Sequence, residues 1–149
     1  YIQGREFTVG ILGNQEPKIL GLMEITPKMK GSKDFFYSIE MKRDWENLVT
    51  YECPAKIEFA LKKRLEDSGI KAFKAFGCRD LARVDFRVNS LGEVYFIEIN
   101  PLPGLSPKYS DIVIMARKMG WVYESVIIEI FNNAISRYKS ERVLSGEEI

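Results

Sequence analysis

The chain has 149 residues, 46% of them hydrophobic and 29% charged, with a formal net charge of +1 and no histidine. That suits one globular domain with a core, or half of a larger one, and the near-neutral charge argues against a nucleic-acid or membrane-surface partner. The lack of histidine excludes Ser-His-Asp and Cys-His catalysis and His-ligated zinc, so chemistry falls to carboxylates, Lys or Arg, backbone amides or a cofactor.

The chain opens at Tyr1 and runs almost at once into strand-like sequence, which suggests a fragment lacking an N-terminal portion. Glu6 to Leu12 and Lys18 to Ile25 read as strands joined by the turn Gly13-Asn14-Gln15-Glu16-Pro17. Phe35 to Tyr37 suggests a short strand, and Ser38 to Pro54 reads as a long charged loop, of a length that often serves as a functional lid. From Ala55 the pattern turns helical, with Ile57, Leu61, Leu65, Phe73 and Phe76 on one stripe and Gly77 as the stop. Gly69 inside it leaves open whether this is one helix or two. After a central hairpin and a Pro/Gly-rich loop, a short helix is expected over about Asp111 to Met119, closed by Gly120. A last helix follows over about Tyr123 to Tyr138, with Val126, Ile127, Ile130, Phe131, Ala134, Ile135 and Tyr138 on its buried stripe. Ser140 to Ile149 reads as a fraying tail. Cys53 and Cys78 have neither CxxC nor zinc spacing and read as reduced structural thiols. No apolar run approaches the roughly 18 residues of a bilayer span, and no signal peptide opens the chain, so the expected location is the cytoplasm.

The central hairpin, Leu81 to Asn100, carries the most chemistry. Counting outward from the turn Asn89-Ser90-Leu91-Gly92, with Val88 opposite Glu93, puts Val84, Phe86 and Val88 on an apolar face with Tyr95, Ile97 and Ile99. Arg83 and Asp85 share the other face with Glu98 and Asn100. Opposed and diagonal cross-strand neighbours lie roughly 5 to 8 Å apart at Cβ, so Asp85 and Glu98 can reach one ion. Two carboxylates and an amide oxygen suit Mg²⁺ holding a polyphosphate, and an arginine beside them suits phosphate oxygens. The competing reading is the solvated polar face of an ordinary amphipathic hairpin. The loop Asn100-Pro-Leu-Pro-Gly-Leu-Ser106, stiffened by proline and open to close approach at Gly104, favours the site.

Ala82-Arg-Val-Asp-Phe86, Gly92-Glu-Val-Tyr-Phe-Ile-Glu-Ile-Asn100 and Leu102-Pro-Gly104 resemble the C-terminal part of ATP-grasp ligases, in particular the D-alanine–D-alanine ligase group. Tyr1 to Val9, Cys53-Pro-Ala55, Gly77-Cys78 and the closing helix fit as well, so the resemblance spans roughly Tyr1 to Tyr138. It implies the C-terminal half of an ATP-grasp domain over residues 1–138, with a polar tail over 139–149. That fold is α+β, an antiparallel sheet with helices packed on one face. It also implies ATP and Mg²⁺ as cofactors (two ions, with Mn²⁺ as an alternative) and small amino-acid-like substrates. For the intact enzyme it implies a homodimer serving peptidoglycan biosynthesis.

By position, Asp85, Glu98 and Asn100 match the family's metal ligands, Glu98 bridging two ions. Arg83 matches the arginine that stabilises a tetrahedral intermediate, and Gly104 the backbone amide that helps hold its oxyanion. Glu6 matches the carboxylate on the ATP ribose, and Lys42 a lysine on the transferred phosphate. Two positions depart from the pattern. Arg43 stands where tyrosine is common, and Tyr109 where serine is common, with Ser110 one residue late. An ATP-grasp ligase for another carboxylate and amine is therefore a second reading, and a non-catalytic nucleotide-binding module a third.

Overall fold

The computed structural model describes residues 2–28 and 48–145. Strands β1 (Arg5–Gly13) and β2 (Lys18–Pro27) form a hairpin, and β3 (Val49–Glu52) pairs with the end of β2. Helix α1 (Phe59–Ala75) leads to the hairpin of β4 (Asp80–Val88) and β5 (Val94–Asn100), followed by α2 (Asp111–Lys118) and α3 (Tyr123–Ser145). The sheet runs in the order β3-β2-β1-β4-β5, with every described pairing antiparallel. This is the expected α+β class.

Strand alternation builds the helix-covered face. Phe7, Val9 and Ile11 of β1 and Val84, Phe86 and Val88 of β4 point the same way and pack with Leu65 and Phe73 of α1. Helix α1 is a single helix, and its Gly69 marks close contact with the sheet: a Cβ there would lie 3.2 Å from Val9 Cγ1. Gly77 ends it in the left-handed region at φ +63°, which glycine adopts without strain. Residues 55–58 precede the helix rather than belong to it, because Glu58 is extended and Phe59 is the first helical residue.

One end of the opposite face is closed as well. There Leu12, Leu20, Met23 and Leu81 pack with Ile112, Met115 and Val126 of α2 and α3. The approach is close because Gly10 and Gly21 are paired beneath α2. A Cβ on Gly10 would lie 2.7 Å from Met115 Sδ and 2.8 Å from Ile112 Cδ1. Gly10→Val is therefore expected to lower stability by about 1–3 kcal/mol through overpacking, read as a lower urea midpoint.

Three local expectations are corrected. Val49 and Tyr51 are buried and alternate with Thr50 and Glu52, so part of the segment read as loop is strand β3. Helix α3 runs on to Ser145, into the segment read as a fraying tail. Its stripe is buried only at its start: Val126 is fully covered, whereas Phe131 is 64% and Tyr138 58% exposed. Further along, the residues that meet the sheet are polar, Asn133 and Arg137. The short strand expected over Phe35 to Tyr37 lies outside the described residues.

A polar latch ties α3 to the sheet. Asp80, at φ +64°, accepts hydrogen bonds from Asn14 Nδ2 at 2.9 Å and from Arg137 Nη2 at 2.9 Å. Burial alone would push its carboxyl up, but the bonds from Arg137 and Asn14 outweigh that and hold it below the usual carboxylate range. A depressed carboxyl stabilises the fold above its unfolded pKa, and that contribution is lost as pH falls through the folded one. Asp80→Asn, which tolerates the left-handed backbone, should lower the urea midpoint at pH 7. The gap from the parent should close as pH is lowered through the carboxylate range.

Cys53 and Cys78 are free thiols, and burial pushes Cys53 up to about 11. Among the described residues no helix is long and apolar enough to cross a membrane.

Candidate active site

The β4–β5 hairpin brings Arg83, Asp85, Glu98 and Asn100 to one face, but by a different register from the one the turn suggests. Val88 pairs with Val94, Arg87 with Tyr95 and Phe86 with Phe96. A bulge at Ile97 then shifts the register, so that Asp85 lies opposite Glu98, Val84 opposite Ile99 and Arg83 opposite Asn100. The polar grouping stands. Tyr95 and Ile97 do not join the apolar face; Val94 and Phe96 take those places, and Phe96 meets Phe86 edge-on at 6.2 Å. Extra residues of this kind are common beside functional sites, where they re-aim side chains.

Arg83 is the hub. Its Nε donates to Asp85 Oδ1 at 3.0 Å and its Nη2 to Asp85 Oδ2 at 2.8 Å, a two-pronged contact. Nη2 also reaches Glu98 Oε1 at 3.3 Å, and Nη1 donates to Asp111 Oδ2 at 3.0 Å. Burial alone would lower the Arg83 pKa, yet Asp85, Asp111 and Glu98 hold it above its ordinary value, so the guanidinium stays charged. Thr8, opposite Asp85 on β1, donates its hydroxyl to Asp85 Oδ1 at 2.6 Å. Tyr51 donates to the second oxygen of Asp111 at 2.9 Å.

Thr8, Tyr51 and Asp111 were not expected at the site. Tyr51 lies in the segment read as loop, and Asp111 reads in sequence merely as the start of a helix.

Among the described residues, three carboxylates face the Arg83 guanidinium. The hard oxygen donors of Asp85, Glu98 and Asn100 fit a divalent cation such as Mg²⁺. Among the described residues no group of three or more His, Cys, Asp or Glu side chains could hold a metal by itself. Asn100 Oδ1 accepts the Leu102 N–H at 3.1 Å, starting the loop that leads to Gly104.

The remaining expected residues fall as follows. Glu6 lies on the same face, opposite Arg87, and accepts from Arg87 Nη2 at 3.1 Å. Gly104 is exposed, and a Cβ there would sit 3.0 Å from Ser110 Oγ. Ser110 directly precedes α2, buried, with its hydroxyl accepting the Ser106 N–H at 2.8 Å, whereas Tyr109 points out. Lys42 and Arg43 lie outside the described residues.

A five-stranded antiparallel sheet with this helix arrangement is the C-terminal part of the ATP-grasp fold, and solved structures share it. One is the D-alanine–D-alanine ligase from Coxiella burnetii, with a TM-score of 0.75 at 26% identity, covering 97% of this chain and 35% of that one. Another is the Bacillus anthracis ligase complexed with ATP, with a TM-score of 0.72 at 26% identity, covering 95% and 41%. The family described as D-ala D-ala ligase C-terminus matches residues 1–132, and the chain belongs to it. Among curated proteins it is 34% identical over 145 residues to a D-alanine–D-alanine ligase of Shouchella clausii, covering 97% of this chain and 38% of the relative. It is 35% identical over 150 residues to the uncharacterized protein y4sG of Sinorhizobium fredii, covering 97% and 42%. The chain thus spans about two-fifths of the length of these relatives.

Proposed function

We propose that the intact protein is an ATP- and Mg²⁺-dependent ligase that joins a carboxylate to an amine through an acyl phosphate. The observation that carries this is Asp85 directly opposite Glu98, with Arg83 bonded to both, behind the loop that presents Gly104. In this reading Asp85, Glu98 and Asn100 would hold Mg²⁺ beside the ATP phosphates. Bound Mg²⁺ supplies charge neutralisation for the polyphosphate. Glu6 grips the ribose and Lys42 the transferred phosphate.

The substrate carboxylate attacks the γ-phosphorus and releases ADP. The amine then attacks the acyl carbonyl, and the oxyanion that forms is stabilised by the Arg83 guanidinium and the Gly104 N–H. Expulsion of phosphate and loss of a proton from the amine complete the amide. Because Asp111 already holds Arg83, little reorganisation is needed as that charge appears.

The names of the curated relatives support D-alanine, or another D-amino acid, as substrate. A different carboxylate and amine is the second reading, favoured by Tyr109 pointing out and by the Ser110 hydroxyl being taken up within the loop. In either case the intact protein would act as a homodimer on small amino-acid-like substrates. The test is phosphate release from ATP by the full-length protein with a panel of D- and L-amino acids. Release dependent on D-alanine supports the first reading, and release with another pair the second. Mg-nucleotide binding without release across the panel would leave a non-catalytic module and sink the ligase assignment.

A further inference from the structure

Arg83 is held from two sides that differ in kind. On one side are Asp85 and Glu98, the carboxylates proposed for the metal. On the other is Asp111, 8% exposed, at the first residue of α2. Asp111 spends one oxygen on Arg83 Nη1 and the other on the Tyr51 hydroxyl. Tyr51 is on β3 and Arg83 on β4, with β2 and β1 between them, so Asp111 bridges strands that are not neighbours in the sheet. A carboxylate at a helix start is favoured by the helix dipole, which suits a fixed anchor.

We infer that Asp111, oriented by Tyr51, is a positioning residue that keeps the Arg83 guanidinium in place when Asp85 and Glu98 turn to a metal ion. An arginine tied to metal ligands alone would be released as those carboxylates are drawn to the cation. The third carboxylate removes that conflict. It also couples Arg83 to the loop of Gly104, because Asp111 follows Ser110, whose hydroxyl fixes the Ser106 N–H. The two groups proposed to meet the oxyanion thereby share one support. Supporting residues of this sort are typically worth about 10–100-fold in activity.

This inference rests on the ligase reading, and two measurements keep their failures apart. The first is steady-state phosphate release by the full-length protein carrying Asp111→Asn or Tyr51→Phe. The expected result for Asp111→Asn is a kcat lower by about 10–100-fold with KM for ATP within about twofold, and a smaller loss of the same kind for Tyr51→Phe. The second is the NMR signature of the Arg83 guanidinium with and without Mg²⁺. In the parent its Nη1 protons should stay resolved, showing hindered rotation, with Mg²⁺ present; in Asp111→Asn they should average once Mg²⁺ is added. Unchanged kcat, or resolved Nη1 protons in Mg²⁺-loaded Asp111→Asn, would overturn the inference. So would a loss of kcat matched by loss of folded signal in both variants, which marks a merely structural role. If the parent releases no phosphate with any amino acid, the ligase reading falls. The Nη1 protons of Mg²⁺-treated protein then decide alone: averaging in Asp111→Asn upholds Asp111 as the anchor of Arg83, and resolved signals overturn it.

Discussion

Arg83→Met is expected to cost the folded chain about 3–5 kcal/mol at neutral pH, the range for removing one partner of a buried ionic cluster. The aliphatic stem is largely retained, so the loss reports on charge. Asp85 and Asp111 are mostly buried, and each takes a hydrogen bond of 3.0 Å or less from the guanidinium. Glu98 contributes little, because its side chain is 55% exposed and water can replace Arg83. Without the cation, Asp85 and Asp111 lose the guanidinium that both face, and that loss is the source of the deficit. Removing the orphaned charges as well, in Arg83→Met with Asp85→Asn and Asp111→Asn, should recover much of the loss. Urea midpoints at pH 7 measure both the loss and its recovery. An unchanged midpoint for the single variant would mean that the carboxylates are solvated and that the cluster does not organise this face.

Glu98→Gln should have the opposite profile. An exposed side chain at 3.3 Å from its partner can lose its charge with stability moving by no more than about 0.5 kcal/mol. Its effect belongs to the reaction. In the full-length protein the variant should release phosphate about 10²–10³-fold more slowly, comparable with removing one preorganised electrostatic contact to a transition state. On the proposed metal role, an amide holds a cation less tightly than a carboxylate, so the Mg²⁺ concentration needed for half-maximal rate should also rise. Glu93→Gln, in the hairpin turn and away from Arg83, is the matched control and should leave both quantities unchanged. Ligation at the parental rate by Glu98→Gln would remove the basis for the metal assignment.

Much of this was legible in the sequence, for identifiable reasons. Alternation along β4 follows from the pleat, so Val84, Phe86 and Val88 could be assigned a common face without coordinates. The stop at Gly77 and the turn at Gly92 were legible because both need a left-handed backbone, seen at φ +63° and +77°. The association of Arg83, Asp85, Glu98 and Asn100 was legible because residues two apart on a strand share a face. The register between the strands was not, since no residue type announces the bulge at Ile97. The Asp111 arm was hidden for another reason. It joins residues 28 and 60 positions apart through tertiary packing, and neither Tyr51 nor Asp111 carries a local pattern that points to Arg83. Exposure of Phe131 and Tyr138 was likewise invisible, because periodicity shows which helix face is apolar but not which of its residues meet the sheet.

The bulge also has a consequence for chain length. On the turn side of Ile97 the strands pair with Phe86 opposite Phe96, and on the other side with Asp85 opposite Glu98. Loss of one residue between Val94 and Ile97 would close the bulge and leave the Asp85–Glu98 and Arg83–Asn100 rungs aligned. The hairpin therefore carries one residue of slack, placed so that β5 can shorten without resetting the rungs that carry Arg83, Asp85, Glu98 and Asn100.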